Sequence, residues 1–489
     1  MKPITVLMVF AGYFAFLLLI SRITSRKADS ASFFIGNRKS PWYIVAFGMI
    51  GASLSGVTFI SVPGWVSTSQ FAYMQMVIGY LIGYLLIIGV LLPLYYRLNL
   101  TSIYTYLQRR FGFWSYKTGS GFFLISRTIG ASARLYIVAT VLQFTVFDAW
   151  GVPFSATVLI IIGLIFLYTY QGGIKTIIWT DTLQTFFMLA ALVLTLVLLC
   201  REIGLSMPEL YDKIIESGSA RIWFFDDFAG NRLHFIKYLV GGAFITLTMT
   251  GLDQDMMQKN LSCKTLRDSR KNMFWFSLAL VPVNLLFLFL GGAMVFFVSM
   301  SGSGLPEVSD NLFPMVATQS GLPAIVGLVF LIGLIAAAFS SADSALTSLT
   351  TSITVDILGK ENAPEKEVRK ARYRVHFILS IVLLSVILLF RALNNRSIID
   401  TLFTLAGFTY GPLLGLYAFG LFTRLNIRDR LVPFIAIFAP AATYILQLNS
   451  SRWFGGYVFS FELLLINGLI TFLLLWASSI KKGGMTHKV

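Results

Sequence analysis

Residues 48–64 read GMIGASLSGVTFISVPG, and they lie in the middle of an apolar stretch long enough to cross a membrane. Glycine occurs at four of these positions and proline at one, with serine and threonine hydroxyls between them. Close packing of small residues between helices would explain any single glycine. It does not explain a whole set that brackets hydroxyl groups, so the stretch predicts a membrane helix whose backbone is broken near its middle.

The composition of the whole chain supports a membrane setting. Of the 489 residues, 56% are hydrophobic and only 12% are charged, about half the charged fraction of a soluble domain. Runs such as 4–20, 274–300 and 459–478 carry almost no charge and match the roughly 20 residues that span a hydrocarbon core. We therefore predict an all-α integral membrane protein with about 13 transmembrane helices.

The apolar segments set the positions of these helices. We predict spans at about 4–21, 42–66, 71–97, 119–147, 153–170, 176–200, 235–252, 272–300, 322–357, 373–391, 397–422, 429–448 and 456–480. The span at 235–252 contains Gly241, Gly242 and Gly251 and ends in a polar run. Helix-breaking residues at corresponding places, five spans apart, are typical of a transporter built from inverted repeats.

The basic residues predict the orientation. About 27 of the 38 lysines and arginines fall on alternate connections, which is the positive-inside pattern. Lys259 is one of them and lies in a hydrophilic connection predicted over 251–271 on the cytoplasmic side. It puts the N-terminus outside and the C-terminus in the cytoplasm of a cell membrane. The net charge of +16 is then a topology signal and an attraction to anionic lipid, and no nucleic-acid partner is expected.

Four charged residues fall at predicted membrane depth, where charges are costly and usually functional. They are Arg127, Arg134, Asp181 and Asp343. Arg127 can be interpreted as a side chain that snorkels towards the cytoplasmic end of its helix. For Arg134 two readings stay open: an ion pair with Asp181 or Asp343, or contact with an acidic substrate.

Asp343 adjoins a helical face of small polar residues. Ala337, Ser340, Ser341 and Ser344 follow the i, i+3, i+4, i+7 spacing and share one face. Helix packing with hydroxyls bonded back to the preceding turn is the alternative to an ion site. The neighbouring carboxylate favours the ion site, since a lone carboxylate in lipid is costly, and oxygen ligands of this kind suit a sodium ion.

Several motifs together resemble the sodium:solute symporter family, which includes sodium/glucose, sodium/proline and sialic acid cotransporters. The most specific is Gly172-Gly173-Ile174-Lys175 followed by Trp179-Thr180-Asp181-Thr182-Leu183-Gln184. Residues 101–112, Gly251-Leu252-Asp253-Gln254 and Gly411-Pro412 are similar to other family segments in the same order. The resemblance covers about residues 30–430, and Ser53–Thr58 is most similar to the sialic acid branch.

The resemblance implies a LeuT-type fold with 5+5 inverted repeats and broken helices. Residues 1–30 would form a peripheral helix, 31–200 the first repeat (helices 2–6) and 201–234 an extracellular loop. Residues 235–424 would form the second repeat (helices 7–11), and 425–489 two peripheral helices and a short cytoplasmic tail.

The resemblance also implies binding residues. A first sodium site would use Gly51, Leu54, Ala337, Ser340 and Ser341. A second would use Asp181, Asp343 and Ser344, with Asp343 standing where the family commonly has a hydroxyl. Substrate contacts would come from Ser53, Ser55, Thr58, Gln75 and Arg134.

The resulting prediction is a sodium-coupled symporter that imports a small polar organic solute, sialic acid or sugar-like, by alternating access. It would act as a monomer in the lipid bilayer. The alternatives are a sodium- or proton-coupled carrier of an amino acid or monocarboxylate and, more remotely, a non-transporting membrane sensor. No phosphate-binding loop and no cluster of catalytic groups is found in the sequence, so we expect neither an ATP-driven pump nor an enzyme.

Overall fold

The fold is almost entirely helical. The computed structural model describes residues 3–25, 29–170, 172–302, 304–393 and 398–480; the predicted tail at 481–489 lies outside them. In these ranges, 8 helices are long and apolar enough to cross a membrane, or up to 11 if each of three bent pairs forms one span. Two shorter apolar helices, Phe154–Thr169 and Leu463–Ala477, accompany them. A membrane-spanning helical fold is thus confirmed, and the number 13 stays a prediction.

Among the described residues, the first part of the chain contains eleven helices. They are α1 Pro3–Thr24, α2 Ser30–Ile35, α3 Trp42–Ser53, α4 Gly56–Ser69, α5 Tyr73–Leu86, α6 Leu92–Arg97, α7 Thr105–Arg110, α8 Phe113–Leu142, α9 Phe154–Thr169, α10 Ile174–Ile203 and α11 Met207–Glu216. Wider π-helical turns at Ile87–Leu91 and Gln143–Phe147 continue α5 and α8, and 3₁₀ turns lie at Gly36–Arg38 and Asp148–Trp150.

The second part contains another eleven. They are α12 Phe235–Thr246, α13 Gln254–Leu261, α14 Leu266–Met300, α15 Leu312–Gln319, α16 Ala324–Ser352, α17 Glu365–Leu393, α18 Ile398–Thr409, α19 Gly411–Phe422, α20 Val432–Leu448, α21 Ser450–Trp453 and α22 Leu463–Ala477. Further π turns lie at Leu247–Gly251 and Ile353–Ile357, and 3₁₀ turns at Ser309–Asn311 and Asp429–Leu431. Strands β1 Asn426–Ile427 and β2 Ser479–Ile480 pair antiparallel.

The predicted break in the second span is present between α3 and α4, which meet at 56°. Leu54 leaves helical geometry (φ −87°, ψ 72°) and Ser55 is extended (φ −67°, ψ 175°). Among the described residues, no backbone N–H donates to the carbonyl oxygens of residues 51–54. The break therefore leaves backbone oxygens free for another partner, as a cation site requires.

The predicted second break lies between α12 and α13, at 63°. Here the prediction of a hydrophilic cytoplasmic connection over 251–271 is wrong, because Gln254–Leu261 forms a helix in which every residue is buried. The polar residues of α13 are buried against protein: Gln254, for example, accepts from the Ile103 N–H at 2.9 Å and donates to the Thr101 carbonyl at 2.9 Å.

A third break, between α18 and α19 at 42°, was not predicted. It falls at Tyr410, directly before Gly411 and Pro412. Proline has no N–H to donate to the preceding turn, so the helical hydrogen bonding is interrupted there. Both predicted repeats thus contain a helix break, and the second contains two.

Candidate functional site

The α3–α4 break packs against α10 and α16. The Gly51 N–H donates to the Thr185 hydroxyl of α10 at 3.0 Å. A Cβ added to Gly56 would lie 3.2 Å from the Ala338 Cβ of α16. The structure therefore brings together the helix break and α16, which carry the predicted first sodium site, with α10 beside them.

Ser340 is oriented by the neighbouring carboxylate. Its hydroxyl donates to Asp181 Oδ1 at 2.7 Å, and both side chains are at most 1% exposed. A hydroxyl has one proton and two lone pairs, so giving that proton to Asp181 leaves the Ser340 oxygen able to accept. Ser341 makes only a long contact of 3.5 Å to the Ala337 carbonyl. Both hydroxyl oxygens thus have the free lone pairs that a sodium ligand needs.

The two predicted second-site carboxylates have partners that the sequence analysis did not foresee. Lys259 Nζ of α13 lies 2.7 Å from Asp181 Oδ2. Asp343 accepts from the Tyr168 hydroxyl at 2.9 Å and from the Ser344 N–H at 2.5 Å. Sodium and Arg134 are therefore not the only cations available to this pair. Lys259, interpreted from the sequence as part of a basic cytoplasmic loop, is 1% exposed.

A cavity of about 90 Å³ lies beside the helix break. Its lining includes Ser53, Ser55, Thr58, Tyr73, Tyr80, Tyr84, Arg127, Arg134, Thr246, Thr250 and Asn284. Three of the predicted substrate hydroxyls and Arg134 thus line one space. The residues come from both predicted repeats, which places the cavity between them.

Arg134 contributes a buried charged group to this cavity. It is 9% exposed, and its Nε and Nη1 make no hydrogen bond. In the described part of the chain no salt bridge joins it to a carboxylate. Arg127 does not snorkel: it forms a buried ion pair with Asp255, next to α13 residue Gln254. The predicted pairing of Arg134 with Asp181 or Asp343 is therefore absent, and the reading as a contact for an acidic solute remains.

Gln75 is placed away from the solute cavity. Its amide donates to the Leu233 carbonyl at 3.0 Å, and its carbonyl accepts from the Phe224 N–H at 3.1 Å. It is fully buried and does not line the cavity. In this structure the Gln75 amide binds the segment that precedes α12, and its substrate contact stays a prediction.

Other residues that line the cavity were not predicted from the sequence. Tyr73, Tyr80 and Tyr84 recur at spacings of seven and four and share one face of α5; this periodicity was a usable signal. Asn284 gave no such signal in an apolar helix. Its Nδ2 donates to the Leu280 carbonyl at 2.7 Å, while its Oδ1 has no partner. The cavity thus offers aromatic hydroxyls and a free amide oxygen as well as a guanidinium.

Comparison with known proteins identifies the family. The model of the "Sodium:solute symporter family" matches residues 33–428. The chain belongs to this family. The matched range includes all but two residues of the predicted repeats, all three helix breaks and every predicted site residue.

Individual relatives of this symporter are distant in sequence. It is 25% identical over 460 residues to a sodium/sialic acid symporter, SiaT, of Proteus mirabilis, covering 90% of this chain and 89% of SiaT. It is 26% identical over 450 residues to the sodium/sialic acid symporter NanT of Aliivibrio fischeri, covering 88% and 85%. A solved substrate-bound, outward-open structure of a Na⁺-coupled sialic acid symporter superposes with a TM-score of 0.82 at 19% identity, covering 96% of both chains. The fold class predicted from the sequence is thereby confirmed.

Proposed function

We propose that this symporter imports sialic acid, a carboxylated sugar, together with sodium by alternating access. The proposal is supported by the relatives named sodium/sialic acid symporters and by one observation in the structure. That observation is the buried Arg134 guanidinium, which faces a polar cavity and forms no salt bridge with any carboxylate among the described residues.

The charge of Arg134 favours an anionic solute. An unpaired charge inside a membrane protein is costly, and arginine presents a planar fork of donors that matches a carboxylate. The hydroxyls of Ser53, Ser55 and Thr58 and the free oxygen of Asn284 would bind the hydroxyl and amide groups of a sugar acid. A simple monocarboxylate would satisfy Arg134 but leave these polar groups unused.

Sodium would bind at the first site and drive uptake. Gly51, Leu54 and Ala337 would supply carbonyl oxygens and Ser340 and Ser341 hydroxyl oxygens. An inward-moving sodium ion gains about 2.3 kcal/mol per 100 mV of membrane potential, in addition to its concentration gradient. This energy is available to concentrate the solute.

The volume of the cavity indicates whether the solute has room to bind in this structure. At about 90 Å³ it is smaller than the roughly 300–1,000 Å³ of typical ligand sites. The helices that line the cavity must therefore move apart before a solute of sugar-acid size can enter. The three helix breaks are the places where such movement would occur.

The orientation and assembly are part of the same proposal. We place the N-terminus outside and the C-terminus in the cytoplasm, in a monomer that carries the solute without converting it. Cysteines at Glu307 and Asn362, both exposed side chains, test the orientation after the native Cys200 and Cys263 have been replaced by serine. An impermeant maleimide added to intact cells should label only the cysteine at 307, and the opposite pattern would reverse the topology.

Uptake into proteoliposomes tests the transport function. Labelled N-acetylneuraminic acid should accumulate only with an inward sodium gradient, and lactate, proline and glucose should compete poorly. Arg134→Gln should weaken sialic acid binding by about 2–5 kcal/mol, roughly 30- to 5,000-fold. Arg452→Gln, at an exposed position, is the matched control and should change nothing. Sodium-independent uptake, or unchanged affinity in Arg134→Gln, would refute the proposal.

A further inference from the structure

The cluster around Asp181 contains a cation supplied by the protein. Lys259 Nζ lies 2.7 Å from Asp181 Oδ2, and both side chains are 1% exposed. The other carboxylate oxygen of Asp181 accepts the Ser340 proton at 2.7 Å. Both oxygens of this carboxylate are therefore engaged, one by an ammonium and one by a hydroxyl.

This arrangement does not fit a sodium ion at Asp181. A sodium ion there would lie next to the Lys259 ammonium, and two like charges in a buried site repel strongly because the effective dielectric is low. Lysine has no lone pair when charged and cannot act as a ligand. Asp343, the second carboxylate, is held by two uncharged donors, the Tyr168 hydroxyl and the Ser344 N–H.

The contacts of α13 with its neighbours hold the Lys259 ammonium beside Asp181 in this structure. Lys259 lies in α13, a helix in which all residues are buried, and the next turn back is anchored by Gln254 to Ile103 and Thr101. Gln258 also donates to the Thr351 hydroxyl at 3.0 Å. Neighbours on both sides of the cluster thus hold α13 in place, so Lys259 is not a mobile surface lysine.

We propose that the Lys259 ammonium occupies the cation position beside Asp181 in place of a second sodium ion, so that this symporter carries one sodium ion per cycle. Lys259 is then a positioning residue: it neutralises Asp181, which in turn orients Ser340 at the first site. The inference rests on the proposed sodium coupling but not on the identity of the solute.

Equilibrium binding of ²²Na⁺ to the purified full-length protein, without solute, tests the inference. The wild type should bind one sodium ion per chain. Lys259→Gln removes the ammonium and should raise the number to two, because Asp181 then needs a mobile cation. Asp343→Asn should leave it at one. Two ions in the wild type, or one in Lys259→Gln, would overturn the inference, whereas no sodium binding in the wild type would overturn the proposed function as well.

Two further variants keep the test decisive if Lys259→Gln does not fold. Lys259→Arg retains the charge and should bind one ion. In Lys259→Gln combined with Asp181→Asn, neither member of this ion pair is left charged without the other, and the new amide oxygen can still accept from Ser340. This double variant should recover expression and bind one ion. Recovery with two ions bound would contradict the proposal.

Discussion

Gly51 offers the sharpest test of the first sodium site, because a single methyl group there disturbs the site without touching its predicted ligand atoms. A Cβ on Gly51 would lie 2.2 Å from the Thr185 Oγ, far inside normal contact. Overpacking of this kind typically costs about 1–3 kcal/mol. If the strain falls on the sodium-bound state, Gly51→Ala raises the sodium concentration for half-maximal uptake roughly 5- to 150-fold.

Removing the clashing oxygen should reverse part of this effect. In Gly51→Ala with Thr185→Ala the next atom is the residue-185 Cβ at 3.1 Å, so sodium affinity should partly recover, although the Gly51 N–H loses its acceptor. Gly163→Ala is the matched control, since a Cβ there meets nothing within 4 Å. Sodium-dependent uptake and thermal unfolding should be measured in all four proteins. Wild-type sodium affinity in Gly51→Ala would refute the placement of the site at the break.

Two further predictions follow from the hydrogen bonds and ion pairs. Ser340→Ala with Ser341→Ala removes two sodium oxygens and should raise the sodium requirement of uptake at least tenfold with normal expression; unchanged sodium dependence in well-expressed protein would remove both residues from the site. Asp255→Asn leaves Arg127 without its buried partner, which typically costs about 3–5 kcal/mol. A clear loss of thermal stability is expected, with partial recovery on adding Arg127→Gln; normal stability of Asp255→Asn would contradict a structural role for the pair.

The parts of the fold that the sequence predicts are those in which the residue types of a short segment determine its backbone conformation. The glycines, hydroxyls and proline of 48–64 predicted the first break, and Gly251 marked the second. The face formed by Ala337, Ser340 and Ser341 followed from helical spacing alone. These features depend on neighbours in sequence, so a single chain suffices to see them.

Other features depend on contacts between distant segments, which no local pattern reveals. The run QDMMQKN of α13 is polar enough to read as a solvent-exposed loop, yet it is buried because its partners come from residues 101–103, 181 and 351. The Arg127–Asp255 ion pair could not be predicted from the sequence for the same reason, because its two residues are far apart in the chain. In a membrane protein, a polar segment next to a helix break can therefore be a buried half-helix, and its polarity alone does not predict a solvent-exposed loop.

One chain of contacts connects two of the three broken helices through the predicted first sodium site. Thr185 of α10 binds the backbone at Gly51, Asp181 one turn earlier binds Ser340, and Lys259 of α13 binds Asp181. If α13 moves away when the transporter opens on that side, it takes Lys259 with it and leaves Asp181 uncompensated. The orientation of Ser340, and with it the affinity for sodium, then depends on the position of α13. The geometry thus provides a physical route by which sodium binding favours one position of the second broken helix over the other.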